Sequence, residues 1–446
     1  MPEPSSARPY TISLLTGIAI VVANMVGTGV FTSLGFQVLG IQSGFALLML
    51  WVVGGIIALC GALSYGELAA AMPRSGGEYH YLSRIYHPAL GFLSGWVSAT
   101  VGFAAPTALA AMALGKYAQS VWPALEPQWL SVGVVLALTA VHATSREAGS
   151  RLQVAVTAVK VLVLVVFIGA GWLVATPQPL AFLPRPGASD WQQLLSPAFA
   201  VSLVYVSYAY SGWNAAVYLT GELDQPQRNL PRILLTGTAI VLLLYVGLNF
   251  IFLYSTPLPK LAGQVEVGFV AATELFGPAA GRLMGGVIAV LLVSTVSSMI
   301  FAGPRIVQVM GEDLRALRPL AQRSQAGIPV RAMLFQVLLT VLFILTATFE
   351  QVLLYAGFVL SLFTFLTVLG LFVLRVRQPG LARPYRAWGY PLTPLLFLGL
   401  NGWTLWFIAQ DKPTETRYGL LTLAVGLLVY VVGRRVAVGA PATPRP

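Results

Sequence analysis

Long apolar runs with almost no charge inside them recur along this chain, and that pattern leaves few folds open. A bilayer core takes about 20 apolar residues per helix. By that measure twelve candidate spans lie near residues 12–38, 43–71, 89–116, 128–145, 152–175, 196–220, 231–255, 282–310, 329–348, 351–376, 390–409 and 417–436. Of the 446 residues, 57% are hydrophobic and 9% charged. A soluble domain carries about 25% charged residues. The sequence therefore reads as an all-α polytopic membrane protein.

Charge position sets the expected orientation. With the N-terminus inside and twelve spans threaded in order, 19 of the 26 lysines and arginines fall on inner segments and 6 on outer ones, with Lys160 left inside a span. This is the positive-inside bias. It predicts that both termini are cytoplasmic. The net charge of +11 thus reports topology and argues against a nucleic-acid partner.

Small-residue and polar counts exclude other classes. The first span is too long for a cleavable signal's apolar core, and no small-residue cleavage site follows it. The single cysteine, Cys60, cannot form an intrachain disulfide. His80, His87 and His142 are scattered, so no metal or cofactor is expected. There is no Walker sequence and no Ser-His-Asp spacing, and no span carries an arginine at every third position. The chain reads as neither an enzyme nor a voltage sensor.

The first and sixth spans are weakest at their centres. One reads Asn24-Met25-Val26-Gly27-Thr28-Gly29-Val30-Phe31, the other Tyr208-Ala209-Tyr210-Ser211-Gly212-Trp213-Asn214. Glycine lowers helix stability, and a broken helix survives in lipid only where its freed backbone groups line a cavity or meet a partner. Four intact spans follow each break. This predicts two five-helix halves, residues 1–175 and 196–376, related as an inverted repeat, with two accessory helices over 390–436 and short tails at 1–10 and 437–446. Residues 75–87 read as an amphipathic helix at the inner interface, and 260–281 as an outer helical loop.

A half-helix N-terminus suits a carboxylate and a half-helix C-terminus an ammonium. Side by side, the two breaks suit a zwitterionic α-amino acid. The amides of Thr28 and Gly29 are candidates for its carboxylate. The carbonyls of Met25 and of Tyr208, Ala209 and Ser211 are candidates for its amine, with Val26 and Gly212 completing the two breaks.

Lys160 lies mid-span, where a lysine costs about 2.5–3.5 kcal/mol to insert. It is expected to face a cavity, reaching the carbonyls of the first break and the hydroxyl of Ser294 or Thr295 as a tethered cation. Gln153 and Thr157 share its helix face. Glu67 is either an inner-gate partner for a loop arginine or an interfacial residue. Asn214, Tyr218 and Glu222 repeat every fourth residue and line an inner half-pathway, or Asn214 bonds a neighbouring helix. No acidic residue stands near either break in the sequence, which argues against cationic or polyamine substrates.

Five stretches together resemble the amino acid–polyamine–organocation superfamily, and within it bacterial L-amino acid transporter-like permeases. They are Val26 to Phe31, Tyr65-Gly66-Glu67-Leu68 through Tyr79, Thr157 to Lys160, Tyr208 to Asn214, and Gln225-Pro226-Gln227-Arg228-Asn229-Leu230-Pro231. The resemblance implies a LeuT-type fold and Na⁺-independent amino acid transport by alternating access, often as exchange. It implies that Lys160 stands where sodium-coupled relatives hold a sodium ion. It also implies that Gly27, Thr28 and Gly29 bind the substrate carboxylate and that Tyr208 is the aromatic gate. Ser211 replaces a glycine usual in the closest members, which predicts small or medium neutral side chains. Eukaryotic members join a heavy subunit through a cysteine after the third helix. None lies between Lys116 and Gln128, so that partner is not expected. The expected function is a permease or antiporter of neutral L-amino acids, working in a lipid bilayer. The alternatives are proton-coupled symport and exchange of cationic amino acids or amines.

Overall fold

The computed structural model describes residues 12–74, 76–144, 150–185, 189–313, 315–324 and 327–438. Its regular elements are helical. In chain order they are α1 (Leu14–Met25), α2 (Gly29–Gly40), α3 (Gly44–Ala71), α4 (Gly77–Ile85), α5 (Pro88–Val97), α6 (Ala104–Val121), α7 (Pro127–Thr144), α8 (Ser150–Val174) and α9 (Asp190–Leu194). There follow α10 (Pro197–Tyr210), α11 (Pro226–Ser255), α12 (Leu258–Leu261), α13 (Val267–Phe276), α14 (Pro278–Asp313), α15 (Val330–Thr346), α16 (Phe349–Arg377), α17 (Leu392–Asp411) and α18 (Pro413–Val438).

Among the described residues, nine helical segments are long and apolar enough to cross a membrane. They match nine of the twelve spans read from the sequence. The fifth and ninth candidates survive as shorter apolar helices over Ala158–Val174 and Val330–Thr346. The sixth is a 14-residue helix, α10, followed by turns and a 3-10 segment over Ala215–Glu222. The helical continuation expected after the second break is therefore wound more tightly than an α-helix. The third span also departs from regular winding. Pro106 has no N–H for the carbonyl of Gly102, and a π-turn over Ser98–Gly102 absorbs the mismatch.

The core forms where α3 packs along α11, and α6 along α14. Each half of the first broken helix leans on a different neighbour, α1 on α11 and α2 on α10. Segment 75–87 yields the nine-residue α4. It does not lie open on a surface: Glu78, Tyr81 and Leu82 are buried, and α4 packs against α5 and α16.

Glu67 is fully buried near the end of α3. Arg375 grips it with two hydrogen bonds, Nε to Oε1 at 2.8 Å and Nη2 to Oε2 at 2.6 Å. The Ala387 amide adds a third at 2.6 Å, and Arg383 Nε lies 3.5 Å from Oε1. The carboxylate thus fastens α3 to the end of α16 and to the loop before α17. Removing one partner of such a buried pair costs about 3–5 kcal/mol.

At the opposite end, α2 is covered by the segment over 257–276. Tyr117 Oη donates to the Phe31 carbonyl at 2.8 Å and accepts from the Gly268 amide at 3.0 Å. The Gly263 amide donates to the Gly35 carbonyl at 2.8 Å.

Candidate functional site

The first break is short. The Val26 amide still closes onto the Val22 carbonyl, the Gly27 amide turns back to the Met25 carbonyl at 2.8 Å, and α2 restarts at Gly29. As at any helix N-terminus, the first amides of α2 have no acceptor within their own helix. Thr28 precedes them without making a side-chain cap, so its hydroxyl does not cover them. The second break begins where the Ser211 amide bonds the Tyr208 carbonyl at 2.9 Å. Gly212 then takes a φ of +98°, a left-handed conformation that suits glycine. A Cβ there would also fall 2.8 Å from the Asn24 carbonyl oxygen.

The two breaks touch. A Cβ placed on Gly29 would lie 2.5 Å from Ala209 Cα and 2.6 Å from Ala209 Cβ, so only glycine permits this approach. Gly27 differs: a Cβ there would meet only the Met25 carbonyl, at 3.9 Å.

Tyr245 on α11 was not singled out by the sequence. Its hydroxyl donates to the Met25 carbonyl at 2.5 Å and lies 3.2 Å from the Ala209 carbonyl. One buried hydroxyl therefore reaches a carbonyl from each break, sharing that of Met25 with the Gly27 amide. An unpaired carbonyl in this setting would cost several kcal/mol. Tyr245 sits on an unbroken apolar helix, where an aromatic residue reads as packing, so no local signal marked it.

Both breaks open onto one cavity of about 640 Å³. Met25, Val26, Gly27, Thr28 and Gly29 line it from the first, and Tyr208, Ala209, Ser211, Gly212 and Asn214 from the second. The cavity runs past the π-turn to Glu78 and Tyr79 of α4 and to Met310 of α14. It thus extends toward the end of the bundle where α1 begins, away from the end covered by the 257–276 segment.

Lys160 is 6% exposed and lines the same cavity. Its Nζ donates to Thr295 Oγ1 at 2.7 Å. Ser294, the other hydroxyl expected there, is not in the cavity wall; its carbonyl accepts from Ser298 Oγ at 2.7 Å instead. The two are neighbours in sequence and point about 100° apart around the helix, and spacing alone did not fix which of them faces inward. The side chains of Gln153 and Thr157 lie outside the described residues. Glu67 stands apart from the cavity, in the ion-paired cluster beneath α3.

Asn214 and Tyr218 both line the cavity, whereas Glu222 is exposed and does not. The fourfold spacing fails because the segment is a 3-10 helix, with three residues per turn. Asn214 Nδ2 donates to Glu78 Oε1 at 3.0 Å, and Tyr65 Oη donates to the same oxygen at 2.6 Å. An acidic residue therefore does reach the second break, which overturns the sequence-based absence. Burial pushes the Glu78 carboxyl up to about 7, while the bonds from Tyr65 and Asn214 pull it down.

Among the described residues no cluster of histidine, cysteine or acidic groups has the makings of a metal site. What the cavity offers is helix-end amides, partly engaged carbonyls, one tethered ammonium and a carboxyl, enclosed by helices that suit a bilayer. That combination defines a carrier for a small polar solute.

Comparison with known proteins gives the family. An amino acid permease family model matches residues 12–431, and the chain belongs to that family. It is a multi-pass membrane transporter of amino acids and not an enzyme. Large neutral amino acids transporter small subunit 2 of Mus musculus is 29% identical over 430 residues, covering 95% of this chain and 80% of the relative. The b(0,+)-type amino acid transporter 1 of Mus musculus is 27% identical over 435 residues, covering 94% and 87%. Asc-type amino acid transporter 1 of the same organism is 28% identical over 437 residues, covering 95% and 81%.

Proposed function

We propose that this chain is a Na⁺-independent secondary transporter of neutral L-amino acids. It works by alternating access in the plasma membrane, with both termini cytoplasmic. On this reading the twelve spans form a LeuT-type bundle. Residues 1–175 and 196–376 are its inverted halves, and 390–436 supply two accessory helices. The substrate carboxylate meets the amides of Thr28 and Gly29. Its amine meets carbonyls of the second break, and Tyr208 closes over it as an aromatic gate.

The observation that carries this reading is the contact of the two breaks at Gly29 and Ala209 on the wall of one cavity. It brings a helix N-terminus and a helix C-terminus together without a charged side chain between them, as a zwitterion requires. The Lys160 ammonium, bonded to Thr295, supplies a fixed positive charge and supports independence from sodium. The relative named as a large neutral amino acids transporter supports a neutral substrate class. The cavity's extension to α4 supports an inward-facing arrangement. Cys60, the single cysteine, is buried within α3, which supports function without a disulfide-linked heavy subunit.

Glu78 favours two second readings, proton-coupled symport and exchange of cationic amino acids, because it places a carboxyl on the cavity wall. Labelled uptake into proteoliposomes separates the three. Neutral L-amino acids are expected to enter vesicles preloaded with neutral amino acid, at the same rate with and without Na⁺. Uptake strictly dependent on Na⁺ would overturn the role given to Lys160. Uptake driven by a proton gradient into empty vesicles would establish symport, and preferred exchange of lysine or arginine would establish the cationic reading.

A further inference from the structure

Glu78 has no task in the neutral-exchange reading, yet its placement is specific. The residue is 7% exposed on α4 and borders the cavity. A single oxygen, Oε1, accepts from Tyr65 on α3 and from Asn214 just after the second break. One carboxyl therefore joins three elements of the cavity wall. Both donors are neutral. The titratable groups that face it are the phenols of Tyr65 on α3, Tyr81 on its own helix and Tyr218 on the 3-10 segment. Among the described residues it takes part in no ion pair. The cations on the same cavity wall are engaged elsewhere: Lys160 bonds Thr295, and Arg305 lies over the Phe301 ring at 3.9 Å.

We propose, on the reading of this chain as an amino acid transporter, that Glu78 is a proton-binding site on the cavity wall whose charge sets how firmly α3 and α4 hold the segment after the second break. Hydrogen bonds to an ionised acceptor are roughly twice as strong as neutral ones. A proton taken from cavity water onto Oε2 leaves Oε1 a neutral acceptor, so the bonds from Tyr65 and Asn214 weaken together. Burial raises this carboxyl to about 7 from its ordinary 4.5, so the protonated, looser form prevails below neutral pH and the ionised, tighter form above it. The second break must move during alternating access, so exchange quickens as the pH falls through neutrality.

Two measurements test this. Infrared titration of the purified protein from about pH 5 to about pH 9 is expected to show a protonated-carboxyl band with a midpoint near neutrality. The band should be missing in Glu78→Gln and shifted in Glu78→Asp. A wild-type titration without such a band, or the same band in Glu78→Gln, overturns the site. In proteoliposomes held at equal pH on both sides, wild-type exchange is expected to rise severalfold from about pH 8 to about pH 6. Glu78→Gln is expected to lose that rise and Glu78→Asp to restore part of it. A Glu78→Gln profile that keeps the wild-type rise overturns the link to the second break. Absence of any amino acid flux with the infrared band intact would reject the transport reading while supporting the proton site.

Discussion

Replacing Gly29 with alanine is expected to reduce transport by about ten- to a hundredfold, because one methyl group drives the two broken helices apart. The added Cβ would sit 2.5 Å from Ala209 Cα, and the neighbour is backbone, which cannot swing aside as a side chain would. Overpacking of this kind costs about 1–3 kcal/mol, and each 1.4 kcal/mol is about a factor of ten. The displaced atoms include the amides and carbonyls proposed to hold the substrate. Gly27→Ala is the informative comparison, because a Cβ there meets nothing closer than 3.9 Å. Thermal unfolding in detergent, measured beside uptake, separates the two. Gly29→Ala is expected to lose both stability and flux, and Gly27→Ala to unfold at the wild-type temperature. Wild-type flux in Gly29→Ala would mean that close contact of the breaks is not needed for transport.

Lys160→Ala is expected to have an effect of similar size by a different route. The lysine is buried and its ammonium bonds Thr295 Oγ1 at 2.7 Å. A hydrogen bond to a charged group contributes about 1.5–3 kcal/mol, so its removal should slow transport about ten- to a hundredfold. Because an uncompensated charge in a span is costly, its loss should leave insertion and folding intact. Flux should fall while the yield of inserted protein holds. Unchanged flux would make the lysine a bystander in the cavity wall.

The residues readable in the sequence share a property: each breaks a local rule on its own. Gly27, Gly29 and Gly212 interrupt helices that otherwise have every reason to continue, and Lys160 is a lone charge in an apolar run. Residues that obey their local rule were invisible. Tyr245 is an aromatic on an intact apolar helix, and its function arises only because α11 crosses both breaks, 36 residues from one carbonyl and 220 from the other. Glu78 lies in a short polar segment, where a carboxylate normally faces water. Only packing of α4 against α5 and α16 buries it. Helix phase was the other gap. Ser294 and Thr295 are adjacent, about 100° apart around a helix, and sequence spacing did not decide which one meets the lysine. The winding after Gly212 was likewise hidden, and with it the true spacing of Asn214, Tyr218 and Glu222.

The central claim is that the two breaks hold the amino and carboxylate groups of the substrate through backbone atoms, leaving the side chain to the rest of the cavity. Competition for labelled uptake by a neutral L-amino acid, its methyl ester and the amine left by removing its carboxylate tests this most directly. The ester and the amine are each expected to compete at least tenfold more weakly than the parent, since each charge-assisted contact contributes about 1.5–3 kcal/mol. An amine or ester that competes as well as the amino acid would contradict the claim that the first break holds the substrate carboxylate.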